Sequence, residues 1–199
     1  LIIPKVNSYI NIENKEFLIM EWIDMTNNHQ AKLGKGLAEM HLKSNKNNPK
    51  KFGYGKEGFI GLNNQIAGWD VNWVDCFINL RIRPQLKLFK IDLLNSDLIE
   101  SLIFKIKSIL HIHKPTISLV HGDLWSGNFG INHLNEGVIF DPASWWADCE
   151  VDIAMSYLFG GFEQNFYDEY FKVLPKKKGF DQRVIIYNLY HILNHANMF

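Results

Sequence analysis

Short runs of apolar and β-branched residues at the start of the chain have the pattern of β-strands. Lys5–Ile10 and Glu16–Ile23 are two such runs, and the polar stretch 11–15 separates them. Within the second run, Phe17–Met20 is apolar enough to be buried. The chain therefore begins with two predicted strands.

After these strands, apolar residues recur at the spacing that is typical of helices. Leu33, Leu37 and Met40 recur at this spacing and predict a helix from about His29 to Ser44. Further helices are predicted from Asn72 to about Lys90 with a kink or break at Pro84, from a cap at Asp97 to His113, and at Glu150–Phe159, Glu163–Val173 and Phe180–His195. A few strands followed by a mostly helical body predict an α+β fold.

Two segments between the helices have different patterns. Phe52–Trp69 contains five glycines and few periodic apolar residues, so it is predicted to be an irregular loop. Ile117–Val120 is a short apolar run that predicts a buried strand, and Phe129–Asn132 and Val138–Asp141 predict two more strands. Between those two, Asn135-Glu136-Gly137 is typical of a hairpin turn.

The composition is that of an ordinary globular chain. It has 199 residues, of which 47% are hydrophobic and 21% are charged, enough for one substantial core. Lysine plus arginine and aspartate plus glutamate both number 21, so no basic field favours nucleic acid or an anionic membrane. Two cysteines make no disulfide framework, and no signal pattern is visible, so we expect a cytoplasmic protein or one of an organelle stroma.

The polar residues around the predicted hairpin suggest a specific chemistry. Asp123 and Asn128 lie in the loop after the predicted strand, and the hairpin would bring Asp141 back beside Asn128. A base for an accepting hydroxyl and two oxygen ligands for magnesium are what phosphoryl transfer needs, so Asp123 is the candidate base and Asn128 and Asp141 the candidate ligands. Any one of these residues alone would be explained as a turn former, but the three in this order favour the catalytic interpretation.

The motif around these residues resembles that of a known family. His121-Gly-Asp-Leu-Trp-Ser-Gly-Asn128 looks like the catalytic loop of the kinase-like phosphotransferases, which include aminoglycoside and choline kinases. Asp141-Pro-Ala-Ser144 and Phe159-Gly-Gly-Phe162 make the resemblance specific to the fructosamine kinase (ketosamine 3-kinase) family. The resemblance runs from about Pro4 to the last residue and implies a protein-kinase-like fold.

The resemblance also implies roles for further residues. It places Glu21 and Ile23 in a hinge whose backbone would hydrogen-bond adenine, with Met20 and Trp22 beside them in an ATP site. His121 would fix the catalytic loop through a backbone hydrogen bond, and Asp152 would support that loop from behind. The candidates for walls of the acceptor pocket are Trp125, Trp145 and Trp146, each of which could equally belong to the core.

The implied function is ATP-dependent phosphorylation of a ketosamine sugar hydroxyl, on a small molecule or a glycated protein, with ATP and Mg²⁺. Residues 1–23 would belong to an N-terminal lobe and hinge and residues 24–199 to a C-terminal lobe, in a chain that is truncated at its N-terminus. We expect a monomer or weak dimer that binds neither nucleic acid nor membrane. The alternatives are another small-molecule kinase of the aminoglycoside or choline type, and a non-catalytic domain that binds nucleotide or a partner.

Overall fold

A computed structural model describes residues 1–89 and 95–199, in which short strands alternate with longer helices. The strands are β1 (Val6–Ile12), β2 (Lys15–Met20), β3 (Phe52–Tyr54), β4 (Gly58–Ile60), β5 (Asn63–Gln65), β6 (Gly68–Asp70), β7 (Ile117–Val120), β8 (Phe129–Ile131), β9 (Gly137–Ile139) and β10 (Trp145–Asp148). The α-helices are α1 (Ala31–Lys46), α2 (Trp73–Phe77), α3 (Arg83–Leu88), α4 (Ser96–Leu110), α5 (Glu150–Leu158), α6 (Gln164–Val173) and α7 (Phe180–Met198), and a π-helix spans Ile78–Ile82.

The two predicted strands at the start of the chain are present and pair as an antiparallel ribbon, but the ribbon is not buried. The prediction that Phe17–Met20 is buried is wrong, because every residue of β2 is exposed. β2 also ends at Met20, so the predicted extension of the strand to Ile23 is wrong. An apolar run shows that a strand could be buried, but burial also requires another part of the chain to pack against that strand. Among the described residues, no other helix or strand makes extensive contact with the ribbon.

The predicted loop Phe52–Trp69 instead contains four strands. β3 and β6 join β10 and β7 in an antiparallel sheet with the order β6-β3-β10-β7. Gly53 permits the close approach of β3 and β6: its φ is 117°, and a Cβ there would lie 2.0 Å from the carbonyl oxygen of Gly68. Strands of three residues are too short to show alternation, and their partners lie far along the chain, so the pattern of apolar residues missed them.

The predicted hairpin is present, and every residue of its two strands is buried. β8 and β9 pair antiparallel, and Asn135 in the turn has a φ of 58°, which asparagine tolerates. The N-terminal segment extends this hairpin on both sides: the amide of Ile2 donates to the Gly137 carbonyl at 2.8 Å, and that of Thr26 donates to the Ile131 carbonyl at 2.9 Å. The hairpin is therefore fixed on both edges.

The helix predicted from Asn72 is divided, although not at the proline. Asn72 caps α2 by accepting from the amide of Val74 at 2.9 Å. The helix then widens into the π-helix before Pro84, which occupies the first turn of α3. The amide of Arg83, just before the proline, donates to the carbonyl of Ile78 five residues earlier, so the wider π-helical turn leads directly into α3. The predicted end at Lys90 lies outside the described residues.

The cap of α4 is Asn95 rather than the predicted Asp97. The Asn95 side chain accepts from the amide of Leu98 at 2.8 Å, and Asp97 lies one position inside the helix. The prediction was wrong because Asn and Asp serve equally as caps, and both occur within three residues here.

We expect Asn95→Ala to lower the free energy of unfolding by about 1 kcal/mol, because the amide of Leu98 then loses its acceptor. Asp97→Ala removes only a charge near the helix start and should cost about 0.3 kcal/mol. Urea denaturation of both variants checks the assignment. An equal or larger loss in Asp97→Ala would contradict it.

The described residues form two apolar clusters. One packs the sheet and α2 to α4 against α7, with Trp73, Phe77 and Trp145 among its buried aromatic residues. The other packs α1 and α6 against the hairpin, with Leu37 and Phe166 fully buried. None of the helices in the described ranges is long and apolar enough to cross a lipid bilayer.

Buried ion pairs attach α7 to the start of α5. Arg183 binds both carboxylate oxygens of Glu150, at 2.6 and 2.8 Å. Asp148 accepts from the Tyr187 hydroxyl at 2.7 Å and lies 2.7 Å from the Nε2 of His113. Because each carboxylate already has partners, we interpret this cluster as structural.

Candidate active site

A buried carboxylate determines the course of the loop after β7. Asp152, in the first turn of α5, is fully buried and accepts from the amides of His121 at 2.7 Å and Gly122 at 2.8 Å. Burial alone would raise the pKa of Asp152, but hydrogen bonds and the interaction with His41 outweigh it and lower the pKa. The residue therefore supports the loop from behind as an anion.

His41 holds Asp152 in place and was missed as a site residue. Its Nε2 lies 3.0 Å from Oδ2 of Asp152, and its Nδ1 lies 2.9 Å from the hydroxyl of Tyr170. If Nε2–H donates to the carboxylate, Nδ1 accepts the hydroxyl proton, so both ring nitrogens are satisfied. The only signal in the sequence was a histidine that continues the apolar stripe of Leu33 and Leu37 on α1.

His121 links the loop to the segment that follows β9. Its Nε2 bonds the carbonyl of Phe140 at 2.9 Å, and its Nδ1 accepts from the amide of Asp123 at 3.3 Å. Burial lowers the pKa of His121, which favours the neutral ring that this pattern requires. The predicted hydrogen bond to the backbone is therefore observed, and it holds the loop after β7 next to the segment that follows β9.

The three residues proposed for catalysis and metal binding lie together. The amide nitrogen of Asn128 donates to the Asp123 carbonyl at 2.9 Å and approaches the Asp123 carboxylate and the Asp141 carbonyl, both at 3.3 Å. Since nitrogen makes these contacts, the amide oxygen is left for a cation. Asp141 is exposed, with a φ of 54°, so its carboxylate is accessible beside the loop.

The electrostatics distinguish Asp123 from an ordinary surface aspartate. Burial raises its pKa to about 6, the charge of Asp141 adds to the effect, and the hydrogen bond from Asn128 opposes it. A carboxyl with this pKa is mostly ionised at neutral pH, yet it is more basic than a solvated one. That property suits a group that receives a hydroxyl proton.

A cleft of about 460 Å³ opens above these side chains. Trp125 lies on its wall, 39% exposed, with its ring 6.5 Å from that of Phe159 in an edge-to-face arrangement. Trp146 is not among the described residues that line the cleft. It pairs with Gly53 and Leu119 inside the sheet, so its prediction as a pocket wall is corrected. The sequence could not show on which side of the loop each tryptophan would lie.

The residues predicted to bind adenine lie at the end of β2, away from the lining of this cleft. The Glu21 amide already donates to the Lys5 carbonyl at 2.8 Å, so only its carbonyl would be available to a base. Trp22 is 86% exposed, and its ring nitrogen bonds Asp24 at 3.0 Å. Ile23 is half-buried and Met20 is exposed. Their role in ATP binding remains a prediction.

Comparison with known proteins agrees with the motif. The chain is 38% identical over 200 residues to a protein of Synechocystis sp. named probable ketoamine kinase, which covers 99% of this chain and 67% of that protein. It is 39% identical over 188 residues to the chloroplastic protein-ribulosamine 3-kinase of Arabidopsis thaliana, covering 92% of this chain and 57% of the relative. The chain thus spans about two thirds or less of the length of these relatives.

Solved structures confirm the fold. A protein of Haemophilus somnus named putative fructosamine-3-kinase matches with a TM-score of 0.87 at 30% identity, over 98% of this chain and 66% of that one. A choline kinase from Streptococcus pneumoniae matches with a TM-score of 0.58 at 16% identity, over 98% of this chain and 64% of that one, which shows the fold alone. The predicted protein-kinase-like α+β fold is therefore confirmed.

The sequence model of the fructosamine kinase family matches residues 1–199. This range contains both the loop His121–Asn128 and the hairpin that brings Asp141 to it. The chain belongs to the fructosamine kinase family.

Proposed function

We propose that this chain carries the acceptor half of an ATP-dependent ketosamine kinase. The observation that carries the proposal is the convergence of Asp123, Asn128 and Asp141 at one end of a cleft. The names of the two relatives, a ketoamine kinase and a ribulosamine 3-kinase, support the acceptor class. We further propose that residues 1–23 form part of an N-terminal lobe and hinge, and that residues 24–199 form the C-terminal lobe.

In the proposed reaction, Asp123 accepts the proton of a sugar hydroxyl while the hydroxyl oxygen forms a bond to the γ-phosphorus of ATP. The bond between that phosphorus and the bridging oxygen breaks, and ADP leaves with its electron pair. His121 and Asp152 hold Asp123 in position through the loop backbone. The cleft wall at Trp125 lies next to the base and would orient the sugar.

Mg²⁺ fits the donor set that Asn128 and Asp141 offer. Both side chains present hard oxygen atoms, and the amide nitrogen of Asn128 is turned towards Asp123 and the Asp141 carbonyl, which leaves its oxygen outward. When bound there, the ion would neutralise the charge of the nucleotide phosphates. Met20, Glu21, Trp22 and Ile23 are the proposed contacts of the adenine.

The direct test is phosphate transfer from ATP to a fructosamine or a ribulosamine, with product identified by mass spectrometry and phosphorus NMR. Transfer of the phosphoryl group to the hydroxyl on the third sugar carbon supports the proposal. Transfer only to an aminoglycoside or to choline would show that the proposed ketosamine acceptor is wrong. Binding of ATP without transfer to any acceptor would favour a non-catalytic domain.

The raised pKa of Asp123 gives a pH dependence. Because the base must be ionised, kcat/KM should fall about tenfold for each pH unit below about 6 and level off above it. Rates measured from pH 5 to 8.5 check this. An NMR titration of Asp123 in the ligand-free protein should give the same midpoint, which excludes titration of the substrate as the cause. A flat profile through pH 6 would contradict the base assignment.

A further inference from the structure

The segment Phe159–Phe162 lies alongside the catalytic loop, although no step of the proposed reaction uses it. The ring of Phe159 packs edge to face against that of Trp125, with the ring centres 6.5 Å apart. Three residues later, the ring of Phe162 packs against that of Phe129, with the centres 4.5 Å apart. The segment therefore contacts the chain on both sides of the proposed amide ligand of magnesium.

The backbone of this segment comes closest to the loop at Gly161. A Cβ atom at Gly161 would lie 2.5 Å from the Cβ of Ser126 and 3.7 Å from its Cα, so only glycine fits against this serine. Gly160 also has a left-handed backbone, with a φ of 71° compared with 90° for Gly161, but a Cβ there would meet nothing within 4 Å. The two glycines therefore share a conformation, and only Gly161 is also required by a contact.

Contacts inside the loop connect these restraints to Asn128. The ring of Trp125 lies over Gly127, where a Cβ would be 2.4 Å from the ring. The main-chain amide of Asn128 donates to the Trp125 carbonyl at 3.0 Å, and its side chain donates to the Asp123 carbonyl at 2.9 Å. Movement of Trp125 or Ser126 would therefore displace the side chain of Asn128.

Gln30 holds the segment in place. This residue is 1% exposed, and its amide nitrogen donates to the carbonyls of Asn27 at 2.7 Å and Gly161 at 3.0 Å. Its amide oxygen accepts from the amide of Glu163 at 2.9 Å. Gln30 therefore fixes both Gly161 and the residue that follows the segment.

We infer that Phe159–Phe162 is a brace that positions Asn128 for magnesium, and that Gln30 is a positioning residue that holds the brace. Contacts around a metal ligand set its orientation, and losing one typically weakens metal affinity by about 10- to 100-fold. The inference rests on the proposed function for the role of Asn128 as a ligand. The positioning of the loop can be measured without any ligand.

The first test exchanges the two sides of the contact between Gly161 and Ser126. Gly161→Ala creates a clash and Ser126→Gly leaves a gap, so each variant should speed hydrogen exchange of the Asn128 amide about tenfold. In the double variant the new Cβ would face the Cα at position 126 at 3.7 Å, an ordinary contact. Its exchange should therefore return to within about threefold of the parent rate.

Gly160→Ala is the matched control, because it introduces similar backbone strain without the clash. It should leave exchange at Asn128 within about threefold of the parent rate. Exchange at the amide of Tyr187 in α7 reports on global stability and should be alike in Gly160→Ala and Gly161→Ala. Equal exchange at Asn128 in these two variants would overturn the inference, and so would a double variant that exchanges as fast as Gly161→Ala.

A second variant tests the brace from Gln30 and serves if Gly161→Ala does not fold. Gln30→Met keeps the length of the side chain and removes its three hydrogen bonds, so exchange of the Asn128 amide should again rise about tenfold. Gln164→Met, at an exposed glutamine of α6, is the control and should not change it. Unchanged exchange in Gln30→Met would overturn the role assigned to Gln30.

The kinetic measurement is the Mg²⁺ concentration that gives half the maximal rate of ketosamine phosphorylation. Gly161→Ala should raise it at least about tenfold, while saturating Mg²⁺ restores kcat to within about threefold of the parent. Gly160→Ala should leave it within about twofold. An unchanged Mg²⁺ dependence in Gly161→Ala would show that the brace does not serve the metal. If the parent transfers no phosphate, the proposed function fails, and the exchange rates still decide whether the brace positions Asn128.

Discussion

Asp123→Asn should lower kcat for ketosamine phosphorylation by about a thousandfold, the middle of the range for loss of a general base. The change keeps the size of the side chain, so the affinities for ATP and acceptor should stay within about twofold. Single-turnover and steady-state measurements check the expectation. Ser126→Ala, in the same cleft, is the matched control and should retain activity within a few fold.

The same variant should be more stable than the parent. Since the pKa of Asp123 is raised to about 6, the native state binds more protons than the unfolded chain between about pH 4 and 6, and the parent loses stability as pH rises through that window. Asp123 is partly exposed, so we expect Asp123→Asn to gain about 1–2 kcal/mol at pH 8. The gain should fade towards pH 4. A destabilised Asp123→Asn would contradict this account.

Asp152→Ala should cost about 3–5 kcal/mol, because it leaves two buried amides and the ring of His41 without their acceptor. For a domain of this size the loss corresponds to roughly 10 °C in Tm. Calorimetry checks the magnitude. Asp181→Ala, an exposed acid in the first turn of α7, is the control and should change stability by about 0.5 kcal/mol or less.

A double-mutant cycle extends this test to the second residue of the pair. His41→Ala and Asp152→Ala should be non-additive by about 1 kcal/mol or more, because each removes the partner of the other. Simple additivity would mean that the two side chains act independently. If Asp152→Ala lowers the free energy of unfolding no more than Asp181→Ala does, Asp152 does not support the loop.

The elements that could be predicted are those whose cause is local. The helix at α1 and the hairpin β8–β9 follow from spacing and turn chemistry within a dozen residues. The convergence of Asn128 and Asp141 follows from that hairpin. These features needed no knowledge of the rest of the chain.

The features that escaped prediction depend on distant partners. The role of His41 depends on its contact with a carboxylate 111 residues further along the chain. The strand β3 exists because Gly53 pairs with Trp146 and Trp69, which no local pattern reveals. Exposure of β2 likewise depends on what covers it and not on its own sequence. For these features the sequence supplies the residue types, but contacts with distant segments determine the structure that they form.

The left-handed backbone at Asp141 has a consequence for how this site can drift under mutation. With a φ of 54°, the position tolerates glycine, aspartate and asparagine best, so few replacements preserve the local shape. Aspartate and asparagine codons differ by one nucleotide, and asparagine would keep the turn while removing the charge proposed for metal binding. A folded descendant that lacks the charge proposed for metal binding is therefore a single mutational step away, and selection for stability alone would not remove it.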